Sequence, residues 1–272
     1  MNIEPLHSKN GKTYWVECED KLYKQRLQAG QYQKSNWEFV QKVLPQFRNC
    51  VDIGSNNACN AIHYAERFEW VECFEPTILA QELWKHTVED NNVKNVTLHT
   101  EALGEYSGTT EIIIHENNGG HNHLAHYDKN PRADRNRLGR NTQSIQMRTL
   151  DLYNFTDIDF IKIDVEGYEK FVLEGAQATI QRERPMLQLE IVGNQCFKFN
   201  YFAEDMINWI RSWDYCVVSK RDGWLDGEFS TSKNKRILYN GIERKGDMDL
   251  FFVPTEWNIQ LEYDNNFTEL FE

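Results

Sequence analysis

The chain lacks any apolar run approaching the roughly 20 residues a membrane-spanning helix needs, so no membrane partner is expected. Its first residues, MNIEPLHSKNGKTYWVECEDK, hold no apolar core of the signal-peptide kind, and a cytoplasmic protein is expected. The six cysteines (Cys18, Cys50, Cys59, Cys73, Cys196, Cys216) include no CxxC pair, which favours reduced, buried thiols over a redox motif or a cysteine-based metal site. Positive charge is scarce: 30 Lys and Arg face 42 Asp and Glu, a net charge of −12. A body this acidic does not hold nucleic acid through its overall field. Internal repeats and long low-complexity tracts are missing too. Residues 54–59 read GSNNAC, without the second and third glycines of a dinucleotide fingerprint, and no Walker A lysine pattern appears. NAD and FAD are therefore disfavoured, and an NAD oxidoreductase is a distant reading.

What is present describes an ordinary globular domain. With 272 residues, 40% of them hydrophobic and 13% aromatic, the chain can bury about three quarters of its unfolded surface. Residues 1–48 form a preface in which KLYKQRLQAGQYQ and SNWEFVQKVLPQF read as helices. The second opens at an N-cap candidate, Ser35, and stops near Pro45. From residue 49 short apolar runs alternate with amphipathic stretches: CVDIG, WVECFEP, VTLHTEALG, TTEIIIHE, SIQMRTLDL, DFIKIDVEG, MLQLEIV, YCVVSK and DLFFVP. Helices are expected near 57–68, 77–91, 168–182 and 203–213. Such alternation means βαβ units and a mostly parallel sheet, in an α/β fold. Residues 49–254 are read as one domain, 115–143 as an inserted polar loop or lid, and the acidic 255–272 as a tail.

Ligands of such sheets bind at the carboxyl ends of the strands. The first end carries Asp52, Gly54, Ser55 and Asn56, in a glycine turn that opens onto a helix N-terminus. The second carries Glu75 and Pro76. Glu75 follows Asp52 by 23 residues, where a ribose diol is gripped in nucleotide-binding α/β folds. A solvated carboxylate is the bland alternative. Later ends carry Glu101 and Ala102, then Asp164 and Glu166, then Glu190. That row repels phosphate and welcomes a cation carrying a ribose. S-adenosylmethionine is such a ligand.

VDIGSNNACNA, VECFEP, TEALG, RTLDLYN, DFIKIDVEGYEKFVLEGA and RPMLQLEI, in this order, resemble the FkbM-like family of class I S-adenosylmethionine-dependent methyltransferases. The resemblance covers about residues 49–254, and KIDVEGYE…LEGA is its most specific part. It implies a Rossmann-like, mostly parallel seven-stranded sheet flanked by helices. It implies that Asp52 to Asn56 cradle the methionine part, that Glu75 holds the ribose and that Glu101 and Ala102 border the adenine. It places Asp164 near the methionine amine and the acceptor. The chain departs from the family pattern at Ala58, where a glycine is usual, and at Ser55 and Asn57.

Lys162, Asp164 and Glu166 alternate, so they share one strand face, which would border methyl transfer. An ion pair that merely fixes the strand end is the competing reading. An oxygen acceptor must lose a proton, and Asp164, Glu166, Glu190 and a loop histidine are the candidate bases. Asp164 and Glu190 could instead hold Mg²⁺, although two carboxylates are few for that ion. His115, His121, His123 and His126 cluster in a loop read first as solvated, second as a substrate lid, third as a metal site. Residues 128–148 hold Lys129, Arg132, Arg135, Arg137, Arg140 and Arg148 against Asp128 and Asp134. This basic stretch suggests an anionic acceptor, RNA phosphates, or plain charge balance. Three functions follow: O-methylation of a small molecule or saccharide, methylation of nucleic acid, and a non-catalytic S-adenosylmethionine-binding module. The N-terminal helices could cap the cofactor pocket or pair with a second subunit, which leaves a homo-oligomer open.

Overall fold

Residues 158–163, IDFIKI, are buried along their whole length, as befits a parallel strand covered on both faces. The computed structural model describes residues 3–17, 21–30, 32–115, 121–125, 141–219, 223–225, 227–231, 237–239, 242–243 and 248–257. The chain opens with an antiparallel hairpin of β1 (Ile3–His7) and β2 (Thr13–Glu17), followed by α1 (Lys21–Ala29) and α2 (Lys34–Val43). Next come β3 (Asn49–Ile53), α3 (Ala61–Tyr64), β4 (Trp70–Phe74), α4 (Ile78–Asp90) and β5 (Val96–His99). A second sheet is built from β6 (Ala102–Leu103), β7 (Gly108–Ile113), β8 (His123–Leu124) and β9 (Thr142–Arg148). The chain then returns through β10 (Ile158–Ile163), α5 (Glu169–Glu174), α6 (Gln177–Glu183), β11 (Met186–Ile191), α7 (Gly193–Lys198) and α8 (Ala203–Arg211). It ends in β12 (Tyr215–Ser219), β13 (Gly223–Trp224), β14 (Phe229–Thr231), β15 (Ile237–Tyr239), β16 (Ile242–Glu243) and β17 (Met248–Pro254).

Among the described residues the central sheet runs β13-β12-β17-β11-β10-β3-β4-β5, eight strands rather than the expected seven, because the two-residue β13 pairs with β12 at one edge. The run from β11 to β5 is parallel, and β17 lies antiparallel between β11 and β12. Side chains alternate between the two faces. Cys50 and Phe160 pack into one core with α2, α3 and the hairpin; Val51 and Ile161 pack into the other with α5, α6 and α8. Tyr14, Val16, Leu27 and Val40 are buried in the first core, so the N-terminal segment covers part of one sheet face.

The hairpin was not expected from the helical reading of residues 1–48. Its turn is built on Asn10–Gly11, with Gly11 at φ 83°, and an Asn-Gly pair is the preferred chemistry for such a turn. It docks on α4, where Trp15 N donates to Thr87 Oγ1 at 2.9 Å and Trp15 Nε1 donates to Asp90 Oδ2 at 2.8 Å. α2 starts two residues earlier than its Ser35 cap would require, with Gln33 at φ 54° in the cap position. The helix expected near 168–182 is broken at Gly175, whose added Cβ would stand 1.9 Å from the Gly104 carbonyl oxygen. Cys50, Cys59, Cys73 and Cys196 are buried free thiols, and Cys216 is half-buried and free. Cys18, His126, Lys129, Arg132, Arg135, Arg137, Arg140 and the tail from 258 on lie outside the described residues.

Candidate active site

Parallel register sets the strand ends side by side. Asp52 pairs with Cys73 on one side and Lys162 on the other, and Lys162 pairs with Gln188. Above them opens a cavity of about 380 Å³, within the usual range for small-molecule sites. Gly54, Ser55, Asn56, Glu75, Pro76, Glu101, Ala102, Lys162, Asp164, Glu166 and Glu190 all line it. Asp52 does not. It is fully buried, behind the turn rather than on the cavity wall. A direct contact between Asp52 and a ligand is thus not what this arrangement offers.

The turn after β3 is made by backbone conformation. Gly54 sits at φ 82°, and a Cβ there would fall 1.9 Å from the Asp164 carbonyl oxygen. Asn56 and Ala58 follow at φ 47° and φ 66°. A left-handed alanine costs about 1–2 kcal/mol. Ala58 is also fully buried, and a glycine would forfeit its methyl, about 0.8 kcal/mol, and its lower unfolded entropy, about 0.4–1 kcal/mol. These terms nearly cancel. Ala58→Gly is expected to shift the midpoint of thermal unfolding by less than about 4 °C. Ala58→Val, β-branched at positive φ, is expected to cost more than about 2 kcal/mol in the same scan.

Glu75 is fixed by three donors. Oε1 accepts from Thr77 N at 2.9 Å and Thr77 Oγ1 at 2.6 Å, and Oε2 accepts from Asn56 N at 3.0 Å. Burial raises its pKa, and the Thr77 and Asn56 donors oppose that. A carboxylate offers about four lone-pair sites, so these three donors leave Glu75, which lines the cavity, capacity for one further hydroxyl. Beyond it the wall turns apolar, with Leu79, Leu83, Leu103 and Leu124. Arg148 Nε lies 3.4 Å from Glu101 Oε1 at this end.

At the other end lies a buried charge network. Lys162 Nζ donates to Asp164 Oδ2 at 3.0 Å and stands 3.8 Å from Asp52 Oδ1, in a buried carboxylate whose charged form Lys162 and Ser55 both favour. Burial works against the Lys162 ammonium, but Asp164 and Asp52 outweigh it and hold its pKa above the ordinary lysine value. Burial pushes Asp52 up against the pull of Lys162. Burial would raise Asp164 as well; Lys162 and a hydrogen bond with Glu190 bring it below the ordinary value. The Asp164 charge, then burial, push Glu190 well up. Within the pair, charge is favoured on Asp164 and disfavoured on Glu190.

Glu166 leaves the shared face: at φ 58° it begins the turn that Gly167 completes at φ 104°. Gln195 donates to its carboxylate, and His121 Nδ1 lies 3.6 Å from Oε2. Asp164, Glu166 and Glu190 each bring one oxygen within 4.8 Å of the others. Mg²⁺ demands near-octahedral oxygens at about 2.0–2.1 Å. Here the Lys162 ammonium already faces Asp164 and Glu166 is tied to Gln195, so the donor set suits that ion poorly. His115 Nε2 and His123 Nδ1 are 3.2 Å apart, with the His121 carbonyl oxygen 3.0 Å from His123 Nδ1, a pairing among ring and backbone groups.

Sequence reasoning missed Glu169. It is buried, and its Oε1 accepts from Val165 N and Gly167 N, both at 3.1 Å, fixing the turn that carries Asp164 and Glu166. Burial, against those same donors, lifts its pKa to about 7. An acid in the first turn of a helix was the available signal. Tyr23, Arg26 and Tyr32, also missed, reach the cavity from the N-terminal segment. Asn57 joins the two parts: its Oδ1 accepts from Tyr23 Oη at 2.7 Å, and its Nδ2 donates to the Trp15 carbonyl at 2.9 Å.

A mostly parallel sheet flanked by helices, with its cavity at the strand carboxyl ends, is the Rossmann-like fold of class I methyltransferases. Residues 52–217, more than half of the chain, match the Methyltransferase FkbM domain, and the chain belongs to that family. No curated protein matches the chain by sequence. Among solved structures, the FkbM methyltransferase of Methylobacillus flagellatus KT is 18% identical, with 86% of this chain and 55% of that one covered and a TM-score of 0.46. The chain thus spans about half the length of that protein. A putative methyltransferase of Streptococcus mutans, in complex with SAH, is 11% identical over 80% of this chain and 94% of that one, with a TM-score of 0.44. Trm5b of Pyrococcus abyssi is 11% identical over 93% and 56%, with a TM-score of 0.48.

Proposed function

We propose that this chain methylates a hydroxyl of a small molecule or saccharide, with S-adenosylmethionine as donor. The observation that carries the reading is one cavity lined both by Glu75 and by Asp164, which Lys162 holds by a hydrogen bond. Glu75 would take a ribose hydroxyl, the apolar wall beside Glu101 and Ala102 would border the adenine, and the turn from Gly54 to Asn56 would hold the methionine part. When bound, the donor supplies an electrophilic methyl group on a sulfonium.

The remaining work falls to the protein: to hold the acceptor oxygen in line and exclude water. Asp164 accepts a hydrogen bond from the acceptor hydroxyl and orients it. Lys162 stabilises its charged form, which makes it a weak base, and the Asp164 charge disfavours the charged form of Glu190. His121, backed by Glu166, is the group left to take the acceptor proton. Glu17, Glu75, Glu101, Asp164, Glu166 and Glu190 line the cavity and would repel a phosphate backbone. Arg148, the described cation of the basic stretch, is already paired with Glu101, so nucleic acid is the weaker reading.

The test is release of S-adenosylhomocysteine from S-adenosylmethionine across a panel of hydroxylated acids, sugars and RNA. Turnover is expected with hydroxyl acceptors, and Asp164→Asn is expected to lower kcat about 10²-fold. Turnover on RNA alone, or donor binding with no turnover on any acceptor, would overturn the reading.

A further inference from the structure

We propose that Arg26 is the anion-recognition group of this cavity, taking a carboxylate-sized anion carried by the donor or by the acceptor. The proposal rests on the methyltransferase reading and names a recognition group within that same site. Tyr23 and Arg26 stand three residues apart on α1, hence on one helix face, and both line the cavity. α1 is fixed there. The Tyr23 hydroxyl is tied to Asn57 in the turn after β3, Asn57 is tied to β2, and the Tyr23 ring meets Tyr32 edge-on at 4.9 Å. Arg26 therefore lines the cavity from the same helix face as Tyr23, which is anchored to Asn57.

The charges of the lining leave Arg26 a clear part. Six carboxylates face this cavity, and any anion entering it needs a compensating cation. Lys162 is buried and committed to Asp164 and Asp52. His121 stands against Glu166 and His123 against His115. Among the described residues Arg26 makes no hydrogen bond and no ion pair, despite the acidic lining. Its five fixed N–H donors suit a bidentate carboxylate. Two sources offer that chemistry: the amino-acid end of S-adenosylmethionine, and an acceptor carrying its own acid group.

The experiment compares the full-length wild type with Arg26→Gln and Arg26→Lys. S-adenosylhomocysteine and 5′-methylthioadenosine, which lacks the amino-acid carboxylate, are titrated calorimetrically. Inorganic sulfate is titrated by thermal shift, with and without saturating S-adenosylhomocysteine. If the donor supplies the anion, Arg26→Gln weakens S-adenosylhomocysteine about tenfold or more, the worth of a charge-assisted hydrogen bond, and leaves methylthioadenosine within about twofold. If the acceptor supplies it, S-adenosylhomocysteine binding is unchanged, and a saturable stabilisation by sulfate is lost in Arg26→Gln and partly regained in Arg26→Lys. Equal behaviour of all three proteins toward every probe overturns the proposal, as does an equal weakening of both nucleosides. Failure of the wild type to bind either nucleoside instead sinks the methyltransferase reading, and the sulfate arm without nucleoside then decides Arg26 alone.

Discussion

Replacing Lys162 by methionine is expected to cost about 3–5 kcal/mol of folding stability, seen as a fall of roughly 6–20 °C in the thermal midpoint. Lys162 is 2% exposed at its side chain and lies between Asp52, at 0%, and Asp164, at 19%. A methionine fills a similar volume, so the loss is electrostatic rather than a cavity effect. It strands the buried Asp52 carboxylate without the ammonium that offsets its charge. The second variant in the argument is Asp52→Asn on the same background. It removes the stranded charge and should recover a large part of the loss, because a buried pair replaced by neutral groups is often close to neutral. A single variant losing less than about 1 kcal/mol, or a double variant no better than the single, would contradict this account of the network.

Gly54→Ala is expected to disrupt the cavity more completely than any substitution on its wall. The new Cβ would stand 1.9 Å from the Asp164 carbonyl oxygen and 3.0 Å from its carbonyl carbon, and the backbone is at φ 82°. Backbone cannot yield as a flexible side chain does, so β3 and β10 must separate just where Asp164 N donates to the Ile53 carbonyl at 3.0 Å. A loss above about 3 kcal/mol is expected, together with loss of nucleoside binding. Gly108→Ala serves as the control. Its nearest neighbour is the flexible Tyr106 ring at 3.4 Å, and a change within about 1 kcal/mol is expected there. Equal effects at the two glycines, read by chemical denaturation, would sink the steric argument.

The contrast between strands and preface shows what was legible in the sequence. Strand ends could be read because a parallel sheet brings its carboxyl edges together whatever the connections. That is why Glu75, Glu101, Asp164 and Glu190, far apart in the chain, meet in one cavity. The same rule counted Asp52 as a wall residue. A strand's alternation tells which face a side chain takes, not how deep it sits, and Asp52 lies behind the turn. Within VTLHTEALG, Glu101 to Gly104 read as the end of the third strand. In the fold β5 ends at His99 and Ala102 starts a separate sheet, a change of partner that no local signal announces. The hairpin at Asn10–Gly11 could have been found from its turn. Arg26 and Tyr23 could not: an amphipathic nine-residue helix does not say what it will cover.

The central claim is that this cavity binds the nucleoside and amino-acid parts of S-adenosylmethionine. Calorimetric titration of the purified full-length protein with S-adenosylhomocysteine tests it most directly. One-to-one saturable binding, with wild-type protein at neutral pH, is the predicted result. A flat titration up to millimolar nucleoside would contradict it and would leave the strand-end carboxylates without the ligand assigned to them.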